Sequence, residues 1–322
     1  MASGLLFENG TIAAAAMKEP FSPEVIARFQ AHPNFAAIIR DMSQTFIELF
    51  EGNRIVNLLS NDRGRVHVGH AILYLHHMRD PADPSTGLTP SRLKAFCSDN
   101  GMCSAGRAAT ILTLMKMSGY VEAGSSVNDR RYRILVPTQK LLHIFRGRWR
   151  ASFSAVEKLA PETSTIALAA AESEDFAAVN IRILSNYFID NVRIMNHAPA
   201  LAPFTEANAG LLVMMSLFVE HYNGERKGDG AIVRTPISAL ARRFGVSRAH
   251  VKQVLRNAQN AGLLRVEGGG GTFIPDATAD AIRDMFAYML AFELHCAIGA
   301  LAAVQEARKS ASVRPEGTEL RP

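Results

Sequence analysis

The chain has little of what covalent cross-linking or catalysis needs. Only three cysteines, Cys97, Cys103 and Cys296, occur in 322 residues. They are too few, and odd in number, for a disulfide framework, and no Cys pair has zinc spacing, so a reducing compartment fits. No Gly-rich loop ends in Lys followed by Ser or Thr, and no nucleophile elbow is present. The glycine run starting at Gly268 leads into a strand, whereas a dinucleotide loop leads into a helix. Neither an enzyme nor a cofactor is therefore expected. A basic region followed by an apolar run and a cleavage site is also missing from the N-terminus, so no secretory signal is read. Long apolar runs are scarce. The most apolar window, Ala287 to Val304, is interrupted by Glu293 and His295. Charges cost too much inside a bilayer for this to be a membrane partner segment, and it reads as a buried or helix-pairing stretch. The sum of these absences is a cytoplasmic, soluble protein.

What is present points to an anionic partner. Apolar residues make up 48% and charged residues 20%, a globular composition. The formal net charge is +5 and the pI about 9.2. The strongest feature is internal repetition. Thr89 to Val136 and Thr235 to Ile274 each open with Thr-Pro, pass a Gly turn (Gly101, Gly245), and start a second segment at a Ser (Ser104, Ser247). That segment ends at a Gly (Gly119, Gly262), and an apolar pair, a turn and a strand ending at Pro137 or Pro275 follow. This is the order of parts in a winged helix-turn-helix. Upstream, "FAAIIRDMSQTFIELF" from Phe35 answers "FAAVNIRILSNYFIDNV" from Phe176, and "GHAILYLHHM" from Gly69 answers "GLLVMMSLFVEH" from Gly210. The offset stays near 142 residues, as from Phe46 to Phe188. The expected fold is mainly α: tandem winged helix-turn-helix units with a helical pairing region and a pseudo-twofold internal repeat. Unit one covers about 20–160 and unit two about 161–308, with 309–322 a disordered tail.

The helix from Ser247 to Ala261 is the best candidate for a DNA groove. Ser247 suits an N-cap. Val251, Val254, Leu255 and Ala258 share an inward face. The opposite face carries Ala249, Lys252, Gln253 and Arg256, with His250 at its edge and Arg248 in the first turn. Gln can pair with adenine, Arg with guanine, and Lys can neutralise phosphate. Arg242 and Arg243 suit backbone contacts. In the first copy the outward face is Gly106, Ala109, Thr110 and Thr113, with Arg107 nearby and Lys116 further along. Its Ala and Thr methyls could touch thymine methyls, or the copy could pack on protein instead; DNA contact is the favoured expectation. The wings reverse this imbalance. Unit one has Asn128, Asp129, Arg130, Arg131 and Arg133 at the tip, suited to a minor groove, while Gly268 to Gly271 of unit two offer no charge.

"DRRYRILVPT", Asp129 to Thr138, resembles the wing signature of the MarR family of bacterial regulators, in which Asp-Arg-Arg leads into an alternating strand and a Leu-Thr pair. Asp129, Arg130, Arg131 and Thr138 match, and Pro137 stands where Leu is usual. The resemblance covers most of unit one and, more weakly, unit two. It implies homodimers on palindromic operators, released by a small ligand bound between pairing helices and winged domains, with Arg131 as the wing arginine and Asp129 its partner. In a doubled chain, one polypeptide resembles the whole dimer.

Other candidates carry less. His67, His70, His76 and His77 lie close together but lack a Cys or carboxylate of suitable spacing, so no metal site is expected. Cys97 and Cys103 flank the first turn and read as packing rather than a thiol switch. Met42, Met78, Met115, Met117, Met214 and Met215 read as core fillers. The expectation is a DNA-binding transcriptional regulator with double-stranded DNA as partner, acting as a single-chain pseudo-dimer or as a homodimer, with room for a small-molecule effector. The rivals are a tandem winged-helix replication initiator and a winged-helix protein–protein scaffold.

Overall fold

The computed structural model describes residues 11–51, 63–80, 82–83, 86–124, 134–164, 166, 169, 173–267 and 271–312. The chain is mainly helical with two small antiparallel sheets. Two short N-terminal helices, α1 (Ile12–Ala16) and α2 (Pro23–Ala31), precede α3 (Phe35–Phe50) and α4 (Arg63–His77). Then come α5 (Pro90–Asp99), α6 (Ala105–Met117), β1 (Val121–Ala123), β2 (Leu135–Pro137) and the long α7 (Gln139–Leu159). The second half holds α8 (Glu174–Ile189), the short α9 (Ala202–Thr205) and α10 (Gly210–Asn223). A hairpin of β3 (Glu225–Lys227) and β4 (Gly230–Val233) leads to α11 (Ile237–Arg243) and α12 (Arg248–Asn260). The chain closes with β5 (Arg265–Val266), β6 (Thr272–Pro275) and α13 (Asp276–Ser312).

The periodic apolar residues explain which faces are buried. In α3 the inward residues Phe35, Ile38, Ile39, Met42, Phe46, Ile47 and Phe50 recur at spacings of three and four. This helix packs on α7 and also on α10. In turn α8 packs on α13 and on α4. Each of these helices therefore bridges to a partner in the other half of the chain. The helices α7 and α13 also touch each other, and one contiguous apolar core draws on both halves.

Among the described residues, α13 contains the one unbroken helix long and apolar enough to cross a membrane, Asp276–Ser310, with mean hydropathy 1.6 in its most apolar window. Of that window 61% is buried, against α1, α2, α7 and α8, which accounts for its apolar character. The polar interruptions have structural partners. His295 donates from Nδ1 to the backbone oxygen of Ala16 at 2.7 Å, so its Nε2 is free to accept from Tyr187 Oη at 2.6 Å. One imidazole thus ties α1, α8 and α13 together. The Oε2 of Glu293 is buried with no partner among the described residues, and burial raises the pKa of this carboxyl while Ser152 and Arg148 on α7 oppose the shift.

The fold departs from the sequence reading in three places. The helix α1 lies before the expected boundary at residue 20, yet packs on α13; its alanine run has no periodicity to read. The hairpin β3–β4 was not foreseen, because Glu225 to Lys227 show no apolar alternation. It extends the β5–β6 pair to a four-stranded sheet in the order β3-β4-β6-β5. The start of the expected disordered tail is helical instead, since α13 continues through Lys309 to Ser312. The rest of that tail, 313–322, is outside the described residues.

Candidate nucleic-acid interface

The α11–α12 unit is built as the sequence suggests. Pro236 occupies the N-cap position of α11, and Leu240, Ala241 and Phe244 bury its inner face. At the turn Gly245 has φ of 66°, a left-handed conformation that costs any other residue more. The Val246 N–H then returns to the Ala241 oxygen at 3.0 Å. Ser247 caps α12, its side chain accepting from the His250 N–H at 3.1 Å. Val251, Val254, Leu255 and Ala258 are buried, and α12 packs on α11. Removal of a large apolar side chain from water stabilises by roughly 1.5–3 kcal/mol each, so this face fixes which way the helix turns. Arg248, Ala249, Lys252, Gln253 and Arg256 consequently face outward and are exposed. Among the described residues, none of Arg248, Lys252 and Arg256 forms an ion pair. Gln253 donates to Asn257 Oδ1 at 2.8 Å, which holds the amide one turn from its own Cα.

Two expected contact residues are used differently. His250 donates from Nε2 to the backbone oxygen of Asn208 at 2.6 Å, at the tight entry to α10 where Ala209 adopts φ of 54°. The ring therefore braces the start of α12 against the helical body and is not displayed with Lys252. Arg243 pairs with Glu51 at the end of α3, at 2.8 Å. Arg242 is the exposed member of that arginine pair. Sequence alone could not separate the two, since the acid that engages Arg243 lies 192 residues away.

The α5–α6 unit follows the same local rules. Thr89 caps α5 by accepting from the Arg92 N–H at 3.2 Å. Gly101 makes the turn with φ of 63°. Ser104 caps α6, accepting from the Arg107 N–H at 3.3 Å. Ala108, Ile111, Leu112 and Met115 are buried. The exposed face is Gly106, Arg107, Thr110 and Thr113, with Ala109 half-buried. Both threonine hydroxyls donate backward within the helix, Thr110 to the Gly106 oxygen at 3.1 Å and Thr113 to the Ala109 oxygen at 3.0 Å. The cysteines beside this turn are in contact. Burial, then the neighbouring Cys103, pushes the Cys97 thiol up to about 12, and burial raises Cys103 as well. Thiols held protonated are poor nucleophiles, which suits packing.

The arginines expected in a first wing, Arg130, Arg131 and Arg133, with Asn128 and Asp129, lie outside the described residues. So do Gly268 to Gly270, between β5 and β6. The second sheet nevertheless carries cations that the glycine run does not suggest. Arg265 on β5 is exposed and stacks 4.2 Å over the Phe273 ring. Lys227 pairs with Glu267 at 3.1 Å, and Arg226 grips Asp276 through two 2.7 Å bonds. That grip, with His221 3.1 Å from Asp276, walls a cavity of about 360 Å³ also lined by Tyr222 and Asp280.

Among the described residues no cluster of three or more His, Cys, Asp or Glu is arranged for a metal ion. His70 packs edge-on to Phe145, and burial drives His77 down to about 4. No known family, curated protein or solved structure matches the chain.

Proposed function

We propose that the chain is a MarR-like transcriptional regulator in which two fused winged helix-turn-helix units form a pseudo-twofold single-chain reader of duplex DNA. The observation that carries this reading is α12: a helix capped by Ser247, buried along one side, with exposed Arg248, Lys252 and Arg256 on the other. Supporting it is the reciprocal packing of α3 on α10 and of α8 on α4, which is the pattern of two intertwined protomers joined in one chain. Strands flank both helix-turn-helix pairs: β1–β2 follows α6, and β5–β6 follows α12.

In this mechanism the cations of α12, Arg242 and the first wing neutralise phosphates. Gln253 and Arg256 read base edges, and His250 and Arg243 hold the second head in position. If both heads engage one face of a duplex, they lie about 34 Å apart, one DNA turn. The chain then works in the cytoplasm, with DNA as its partner. A mobility shift on duplexes selected from random sequence tests the proposal. Binding should weaken steeply with salt, and Arg256→Ala should lose about tenfold or more, the value of one good base contact. No retardation even at low salt would favour a protein–protein scaffold. Enrichment of tandem repeats in place of an imperfect palindrome would favour a replication initiator.

A further inference from the structure

The two outward helix faces align residue for residue. Ala109, Thr110 and Thr113 of α6 stand where Lys252, Gln253 and Arg256 stand on α12, each 143 positions apart. The second trio is two cations and an amide. The first offers three methyl groups and two hydroxyls. Those hydroxyl protons are already committed to the Gly106 and Ala109 oxygens. A hydroxyl bonded in this way can accept a hydrogen bond but has no proton left for another acceptor. Gly106 adds no side chain, and a Cβ built there would meet nothing within 4 Å, so the helix can approach a neighbour closely at this point.

The base edges in a major groove differ in what they demand. Guanine presents only acceptors, N7 and O6, and needs donors from the protein. Thymine presents a methyl group that favours apolar contact. The methyls and committed hydroxyls of Ala109, Thr110 and Thr113 cannot satisfy guanine acceptors, and burying those acceptors unpaired against this trio carries a desolvation cost. We propose that α6 reads thymine methyls and selects a T-rich half-site, while α12 reads purine edges by hydrogen bonds in the other half. This rests on the DNA-binding reading above and adds which base chemistry each head takes. Ala109, Thr110 and Thr113 are then the specificity-determining residues of the first head.

The test uses the full chain and a duplex selected from random sequence. Thymines of one half-site at a time are replaced by deoxyuridine, which removes the methyl and leaves the base pair intact. One buried methyl is worth about 0.8 kcal/mol, so each contacted thymine should cost about fourfold in affinity. The loss should appear in the half-site facing α6 only. The double variant Thr110→Ser, Thr113→Ser keeps both internal hydrogen bonds and removes both methyls. It should bind natural DNA as weakly as the parent binds deoxyuridine DNA, and be indifferent to the replacement. Equal affinity for thymine and deoxyuridine in both halves overturns the proposal and leaves DNA binding intact. So does a loss on replacing guanine by 7-deazaguanine in the first half. Failure to retard any duplex overturns the DNA-binding reading itself.

Discussion

The α6 and α12 heads share a scaffold and differ in what they display. Both start at a serine cap, follow a left-handed glycine and bury four residues at helical spacing. Outside that frame the two diverge. The α12 head presents Arg248, Lys252 and Arg256, none of them in an ion pair among the described residues, and is braced by His250 on Asn208 and by Arg243 on Glu51. The α6 head presents methyls, and its hydroxyls bond to its own backbone. The lesson is that fold and display are set by separate residues. Inward positions are constrained by burial, whereas outward positions can change chemistry without disturbing the helix.

Grafting one display onto the other frame gives the largest expected effect. The triple substitution A109K, T110Q and T113R should leave the fold intact, because Thr110 and Thr113 are exposed and Ala109 is half-buried. It adds two cations, so the slope of log affinity against log salt should steepen by about two. An unchanged slope would show that α6 does not meet DNA. Next comes the turn. Gly101→Ala and Gly245→Ala each force a left-handed backbone on a residue with a Cβ and should each cost about 1–2 kcal/mol in denaturant unfolding. A cost at Gly245 alone would break the likeness of the two frames. The caps follow. Ser104→Ala and Ser247→Ala should each cost about 1 kcal/mol, but only Ser247→Ala should also weaken DNA binding sharply, because its helix carries the cations.

The smallest effects on DNA binding are those of pH. His77 titrates near 4 in the fold against 6.5 when unfolded. The unfolded chain then binds more protons between those values, so stability falls as pH drops from 6.5 towards 4. Glu293 has the opposite sign. Its pKa is raised in the fold, so the native state holds the extra proton and stability falls as pH rises through the folded value. In a thermal unfolding series, His77→Gln should flatten the loss of stability as pH falls towards 4, and Glu293→Gln the loss as pH rises. His77 lies at the end of α4 and Glu293 on α13, and neither is on the outward face of α6 or α12, so neither change should shift the relative affinities of the two half-sites.

Much of the scaffold was legible because it rests on short-range chemistry. The turn glycines, the serine caps and the inward stripe of α12 all lie within one or two helical turns of what they control. The hairpin β3–β4 was not legible. Its outer strand, Glu225-Arg226-Lys227, is exposed and polar, and is held as a strand by pairing with β4. The site was legible in part. Lys252, Gln253 and Arg256 face outward as the spacing requires, while the roles of His250 and Arg243 depended on Asn208 and Glu51.

By itself, the sequence determined the helical character, the two glycine-turned helix pairs and which side of each second helix is buried, since periodicity and backbone sterics act locally. Only the tertiary structure decided that α3 and α8 pack across the halves, that the imidazole of His295 joins three helices, and which cations remain outward. Those outcomes depend on partners more than a hundred residues away, and no local pattern of side chains encodes where such a partner will sit.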